Sequence, residues 1–137
     1  MNEWSEHLLG EICSIEIGGT PSRSNPCYWW QLNNKEKPLP WVSISDMKQK
    51  VITQTKESIT RLGAQRSNCK LIAKGTLLMS FKLSIGRLAI AGTDLYTNEA
   101  IAALKPVKKV DLDFLYYGLQ YWNLTSDSDQ AVKGVTL

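Results

Sequence analysis

Histidine is almost missing from this chain: His7 is the only one, and it stands in no cluster with cysteine. One imidazole in 137 residues leaves little scope for acid–base catalysis at neutral pH. Cysteine is scarce as well. Cys13, Cys27 and Cys69 form an odd set with no C-x-x-C spacing, so no zinc site is written here and all three read as reduced, packed thiols. No apolar run approaches the roughly 18 residues that a membrane span requires. The N-terminal MNEWSEHLLGEI is acidic and interrupted, where a secretion signal would be basic and then apolar. The expectation is a cytoplasmic protein with no membrane association. P-loop, paired-carboxylate and Ser/His/Asp patterns are lacking too, so neither a metal nor a cofactor is expected.

What is present suits one hydrophobic core. With 43% hydrophobic and 21% charged residues, a chain of this length supports a single domain over residues 1–137. The net charge of +3 conceals a sharper division. Residues 1–40 carry three basic and five acidic side chains, residues 41–90 carry nine and two, and residues 91–137 carry four and six. A segment of +7 therefore lies between two of −2. That is the footprint of a polyanion-binding face, although a run of charge also serves as an ordinary solvated surface.

Along the chain, EICSIEI (residues 11–17) alternates Cys13, Ile15 and Ile17 with Ser14 and Glu16, the period of a half-buried strand. Gly18-Gly19 and Pro21 end it in a turn. A long irregular connection follows over residues 22–40, of a length uncommon inside compact domains unless it has a task. WVSIS (41–45) alternates as a second strand, and Ile59 to Ser67 reads as a short helix interrupted by Gly63. KLIAKGTLLMSF turns at Lys74-Gly75; GRLAIAG and AIAALKPV give further strands, and residues 82–87 form a loop with two cations and a glycine. In DLDFLYYGLQYWNL, Leu112, Leu115, Tyr116, Leu119 and Trp122 take helical spacing, with Asp111 as a cap. The ending GVTL is apolar and has no stop signal, so the chain reads as part of something longer. Strands before a helix, without βαβ alternation, predict an α+β fold: an irregular, strongly twisted β-sheet core with long loops and a C-terminal amphipathic helix.

Asn25-Pro26-Cys27-Tyr28 differs by one residue from the Asn-Pro-Pro-Tyr signature of amino-group DNA methyltransferases. That reading needs a glycine-rich turn opening a helix, within a parallel sheet larger than this chain can supply, so binding is the better expectation. Tyr28, Trp29, Trp30 and Trp41 could stack on bases, or pack a proline-flanked loop against the sheet. Lys48, Lys50, Lys82 and Arg87 fall at strand ends or loops, where they could turn together toward phosphates. Arg23, Gln49, Lys82 and Ser84 have the side chains that base-edge reading uses.

Five segments in order, LGEICSIEIGGTPSRSNPCYWW, PWVSISDM, GTLLMSFKLSIGRLAI, TNEAIAALKP and DLDFLYYGL, together resemble the target recognition domain of the specificity subunit of type I restriction-modification systems. Asn98-Glu99-Ala100 departs from the Asn-Gln-Ala more usual in that family. The resemblance implies a non-catalytic subunit that recognises one half of a split target in double-stranded DNA and hands it to separate methylation and restriction subunits. It also implies a full subunit of two such domains joined by long helices, of which this chain matches one, without the spacer helix that would follow Leu137. Gly18 to Ser22 matches the family's turn, and Tyr28-Trp29 its Tyr-Trp pair. On this reading Thr20, Ser22 and Arg23 face DNA together with Lys48, Gln49, Lys50, Lys82, Ser84 and Arg87. A fragment of an adenine methyltransferase and a basic protein-interaction module are the alternatives.

Overall fold

The computed structural model describes residues 13–81, 87–106 and 116–117. Eight strands carry the fold: β1 (Cys13–Ile17), β2 (Leu39–Val42), β3 (Val51–Ile52), β4 (Glu57–Ile59), β5 (Leu77–Ser80), β6 (Leu88–Ala91), β7 (Tyr96–Thr97) and β8 (Ile101–Pro106). A short helix α1 (Arg61–Gln65) and 3-10 turns at Pro26–Tyr28 and Ile44–Asp46 complete the described elements. Over the described residues the architecture is mixed and rich in sheet, with little helix. The amphipathic helix expected after Asp111 lies outside the described residues, apart from Tyr116, which is buried, and Tyr117, which is exposed.

The strands form a five-stranded sheet in the order β1-β8-β5-β6-β3 and a three-stranded sheet in the order β4-β2-β7. Neighbours are antiparallel except β2 with β7 and β3 with β6. Leu77, Met79, Leu88, Ile90, Ala102 and Leu104 share one face of the larger sheet by register, and Leu78, Ala89, Ala91, Ile101 and Ala103 share the other. Both faces are buried. That is why these strands read in the sequence as continuous apolar runs rather than as alternating ones. Against the second face pack Val42, Met47, Ile72 and Leu95. Alanines on the sheet leave room for larger side chains from the covering layer, and each fully buried Leu or Ile contributes about 1.5 to 3 kcal/mol.

Local chemistry moved two boundaries from where periodicity placed them. The second strand stops at Val42 because Asp46 draws the chain into a 3-10 turn: its Oδ2 accepts from Ser43 N at 2.9 Å and from Ser43 Oγ at 3.2 Å. Ile59 belongs to β4, and α1 begins only after Thr60, whose Oγ1 caps it by accepting from Gly63 N at 3.0 Å. Gly63 stands mid-helix because the 3-10 turn at Pro26–Tyr28 approaches closely, and a Cβ there would lie 2.4 Å from the Tyr28 carbonyl oxygen. The Lys74-Gly75 turn is found as expected, with Thr76 N donating to Ala73 O at 3.2 Å and Gly75 at φ 93°.

Candidate nucleic-acid interface

Strand direction gathers several loops at one end of the larger sheet. Ile17 at the end of β1 is opposite Ala102, Ser80 at the end of β5 is opposite Ile101, Met79 is opposite Leu88, and Val51 lies beside Ile90. The chain therefore leaves β1 and β5 and enters β8, β6 and β3 at the same end. Thr20, Ser22 and Arg23 follow β1; Lys48, Gln49 and Lys50 precede β3; Arg87 precedes β6; and Glu99 precedes β8. Lys82 and Ser84 lie outside the described residues.

The segment after β1 is held tightly. Gly19 N donates to Thr97 O at 2.9 Å, and Gly19 O accepts from Trp41 Nε1 and from Cys69 Sγ, each at 3.0 Å. A Cβ on Gly18 would lie 2.1 Å from Thr97 O, so only glycine allows this approach. Thr20 Oγ1 donates to Glu99 Oε2 at 2.5 Å, and Ser22 Oγ lies 2.9 Å from Ser24 Oγ. Burial pushes the Cys69 thiol above its ordinary pKa, which keeps it protonated at Gly19.

Arg23 lies across the aromatic pair. Its guanidinium carbon is 3.9 Å from the centroid of the Trp29 ring and 5.2 Å from that of Trp41. Nη1 and Nη2 donate to the two carboxylate oxygens of Glu57 at 2.6 and 3.1 Å. The hydrogen bond with Glu57 raises the guanidinium pKa against the cost of partial burial, helped by the charges of Glu57 and Glu99. Trp29 and Trp41 are themselves buried, edge to face at 5.1 Å, and Trp29 Nε1 donates to Ser22 O at 3.1 Å. Of the two roles open to these rings, they serve packing. Asn25 also has a local duty: its Oδ1 accepts from Cys27 N at 3.0 Å and caps the 3-10 turn.

The turn before β3 is built on Asp46. Besides Ser43, this buried carboxylate accepts from Lys56 N at 3.1 Å, which ties the two ends of the 43–56 excursion together. Lys48 and Gln49 are exposed on the turn. Lys50 is exposed too, with its carbonyl accepting from Ile90 N at 2.6 Å and its Nζ 3.1 Å from Tyr117 Oη and 4.8 Å from that ring's centroid. Arg87 is half-buried and donates to Ile44 O at 3.4 Å. Beside Glu57 opens a cleft of about 380 Å³ lined by Trp29, Trp30, Leu32, Thr55 and Lys56 among others.

Three participants escaped sequence reasoning: Glu57, Glu99 and Lys56. A signal existed for the first, because Asp46 and Glu57 are the only two acids in the basic stretch 41–90, and each proves to hold a specific partner. Among the described residues no group of three or more metal-ligating side chains occurs, and no helix is long and apolar enough to cross a membrane.

Comparison with known proteins adds to this geometry. A specificity subunit of the type I restriction enzyme HindI from Haemophilus influenzae is 26% identical over 134 residues, covering 97% of this chain and 28% of that protein. The MjaIX specificity subunit from Methanocaldococcus jannaschii is 26% identical over 118 residues, covering 84% and 26%. The chain thus spans about a quarter of the length of these relatives. The crystal structure of the HsdS subunit from Thermoanaerobacter tengcongensis shares the fold, with a TM-score of 0.66 at 22% identity over 93% of this chain and 28% of that one. The sequence matches the type I restriction modification DNA specificity domain over residues 1–134, and the chain belongs to that family.

Proposed function

We propose that this chain is one target recognition domain of a type I specificity subunit, comprising residues 1–137 as a single unit. It binds double-stranded DNA in the cytoplasm, reads one half of a bipartite target, and directs methylation and restriction subunits to it without catalysing a reaction. The observation that carries this reading is that the segment bearing Lys48, Gln49 and Lys50, the residue Arg87 and the loop that follows β1 all join the larger sheet at one end, in a chain of this family. Lys48, Lys50 and Arg87 supply phosphate contacts, with Lys82 as a further cation, whereas Gln49, Ser84 and Arg23 supply base contacts. Thr20 and Ser22 shape the loop beside them.

Selection from a pool of random duplexes at about 50 and 200 mM salt, with the bound fraction sequenced, tests this directly, because phosphate contacts alone lose most of their affinity over that range. An enriched motif of a few base pairs that persists at the higher salt is expected. Binding that enriches nothing and disappears with salt would leave a basic surface without sequence recognition.

A further inference from the structure

We infer that Arg23 is a buttressed guanine reader and that Glu57 is the positioning residue that sets its orientation; this rests on the DNA-recognition reading above. A guanidinium has five N–H donors arranged along its edges. Glu57 takes one from Nη1 and one from Nη2, which occupies the end of the fork. The remaining edge, Nε with the outer hydrogen of Nη2, is a second parallel donor pair, and no other hydrogen bond of Arg23 occurs among the described residues. The side chain is 56% exposed, and on this inference that edge lies on its open side. Two parallel donors on one plane match the O6 and N7 acceptors of guanine in the major groove.

Rigidity separates this arginine from an ordinary surface cation. A flexible arginine loses rotamer entropy when it binds and settles on the nearest phosphate. The plane of Arg23 is fixed from below by Trp29 at 3.9 Å and along its end by Glu57. Trp29 is fixed in turn by its contact with Trp41 and by the Ser22 carbonyl. Glu57 also works against indiscriminate binding, because it places a negative charge where a phosphate would otherwise approach the guanidinium. Lys56, one residue away and exposed on the wall of the adjoining cleft, provides a cation for the backbone next to the base so read.

The test is the same duplex selection carried out with the 137-residue chain and with Arg23→Ala and Glu57→Gln, each variant first checked for an unchanged circular dichroism spectrum and cooperative melting. The unaltered chain is expected to select a motif containing a guanine that Arg23→Ala makes degenerate, with preference at that position falling roughly tenfold and the other positions retained. Glu57→Gln is expected to lower the same preference while raising affinity for duplexes of unrelated sequence, since a negative charge is removed from the face. The rise in non-specific affinity follows from the charge alone, whereas a strut with no reading role leaves the preference at that position unchanged. If the unaltered chain selects a motif and both variants keep every base preference, or lose affinity uniformly, the inference is overturned and DNA recognition stands. If the unaltered chain selects nothing, DNA recognition itself fails, and this inference with it.

Discussion

Two glycines show how differently the same residue is used in this fold. At Gly18 the backbone lies so close to Thr97 that a methyl group would overlap the Thr97 carbonyl at 2.1 Å and its hydroxyl at 2.3 Å. At Gly75 nothing lies within 4 Å, and only the positive φ of 93° favours glycine. Gly18→Ala is therefore expected to cost about 3 kcal/mol through overpacking, and Gly75→Ala about 1 to 2 kcal/mol through backbone strain alone. Urea unfolding of the two variants checks the order, and a larger loss at Gly75 would contradict it. Arg23 shows how far a single side chain could be read from sequence. Its type and loop position marked it as a base-edge candidate, but its partner Glu57 lies 34 residues away, and nothing local announces that pairing.

Among the elements, the turn at Ser43 to Asp46 bears most on the proposed interface, because it leads into Lys48, Gln49 and Lys50. Asp46 satisfies Ser43 N, Ser43 Oγ and Lys56 N from a buried position. Replacing it by alanine takes the acceptor from Ser43 N and Lys56 N, while Ser43 Oγ keeps Ser45 Oγ at 3.0 Å, and the expected loss is about 2 to 3 kcal/mol of stability. Weaker duplex binding should accompany it; Asp46→Asn, which keeps one acceptor oxygen, should lie between. Thermal unfolding and binding titration of the two variants measure this, and an alanine variant as stable as the parent would contradict the role assigned to the carboxylate. The strands divide by legibility for a physical reason. β1 alternates across a half-exposed sheet edge and is visible as a period of two. β5, β6 and β8 are buried on both faces and are visible only as apolar runs bounded by glycine or proline. β3 and β7, at two residues each, are too short to hold any period, and their parallel partners lie 39 and 55 residues away in the chain. WVSIS misled because a hydrogen-bonding aspartate just beyond it outweighs alternation.

For the molecule as a whole, the division of charge along the sequence foreshadowed a division in space that only the sheet topology completes. Nine basic side chains between residues 41 and 90 marked the segment, without telling which of them share a surface. Register separates them: Lys48, Lys50 and Arg87 lie at the end where β1 and β5 finish, whereas Lys74 lies in the turn at Gly75 that opens β5 from the opposite end. On the proposed function, one end of the five-stranded sheet meets the DNA backbone. This is tested most directly by the salt dependence of affinity for a duplex, measured for the parent chain, Lys48→Ala and Lys74→Ala. These two lysines carry the same charge and are both exposed, so overall electrostatics affects them alike. Lys48→Ala is expected to weaken binding and to reduce the slope of log affinity against log salt by about 0.9, the value for one lost phosphate contact, while Lys74→Ala changes neither. Equal losses at the two positions, or a loss at Lys74 alone, would contradict it.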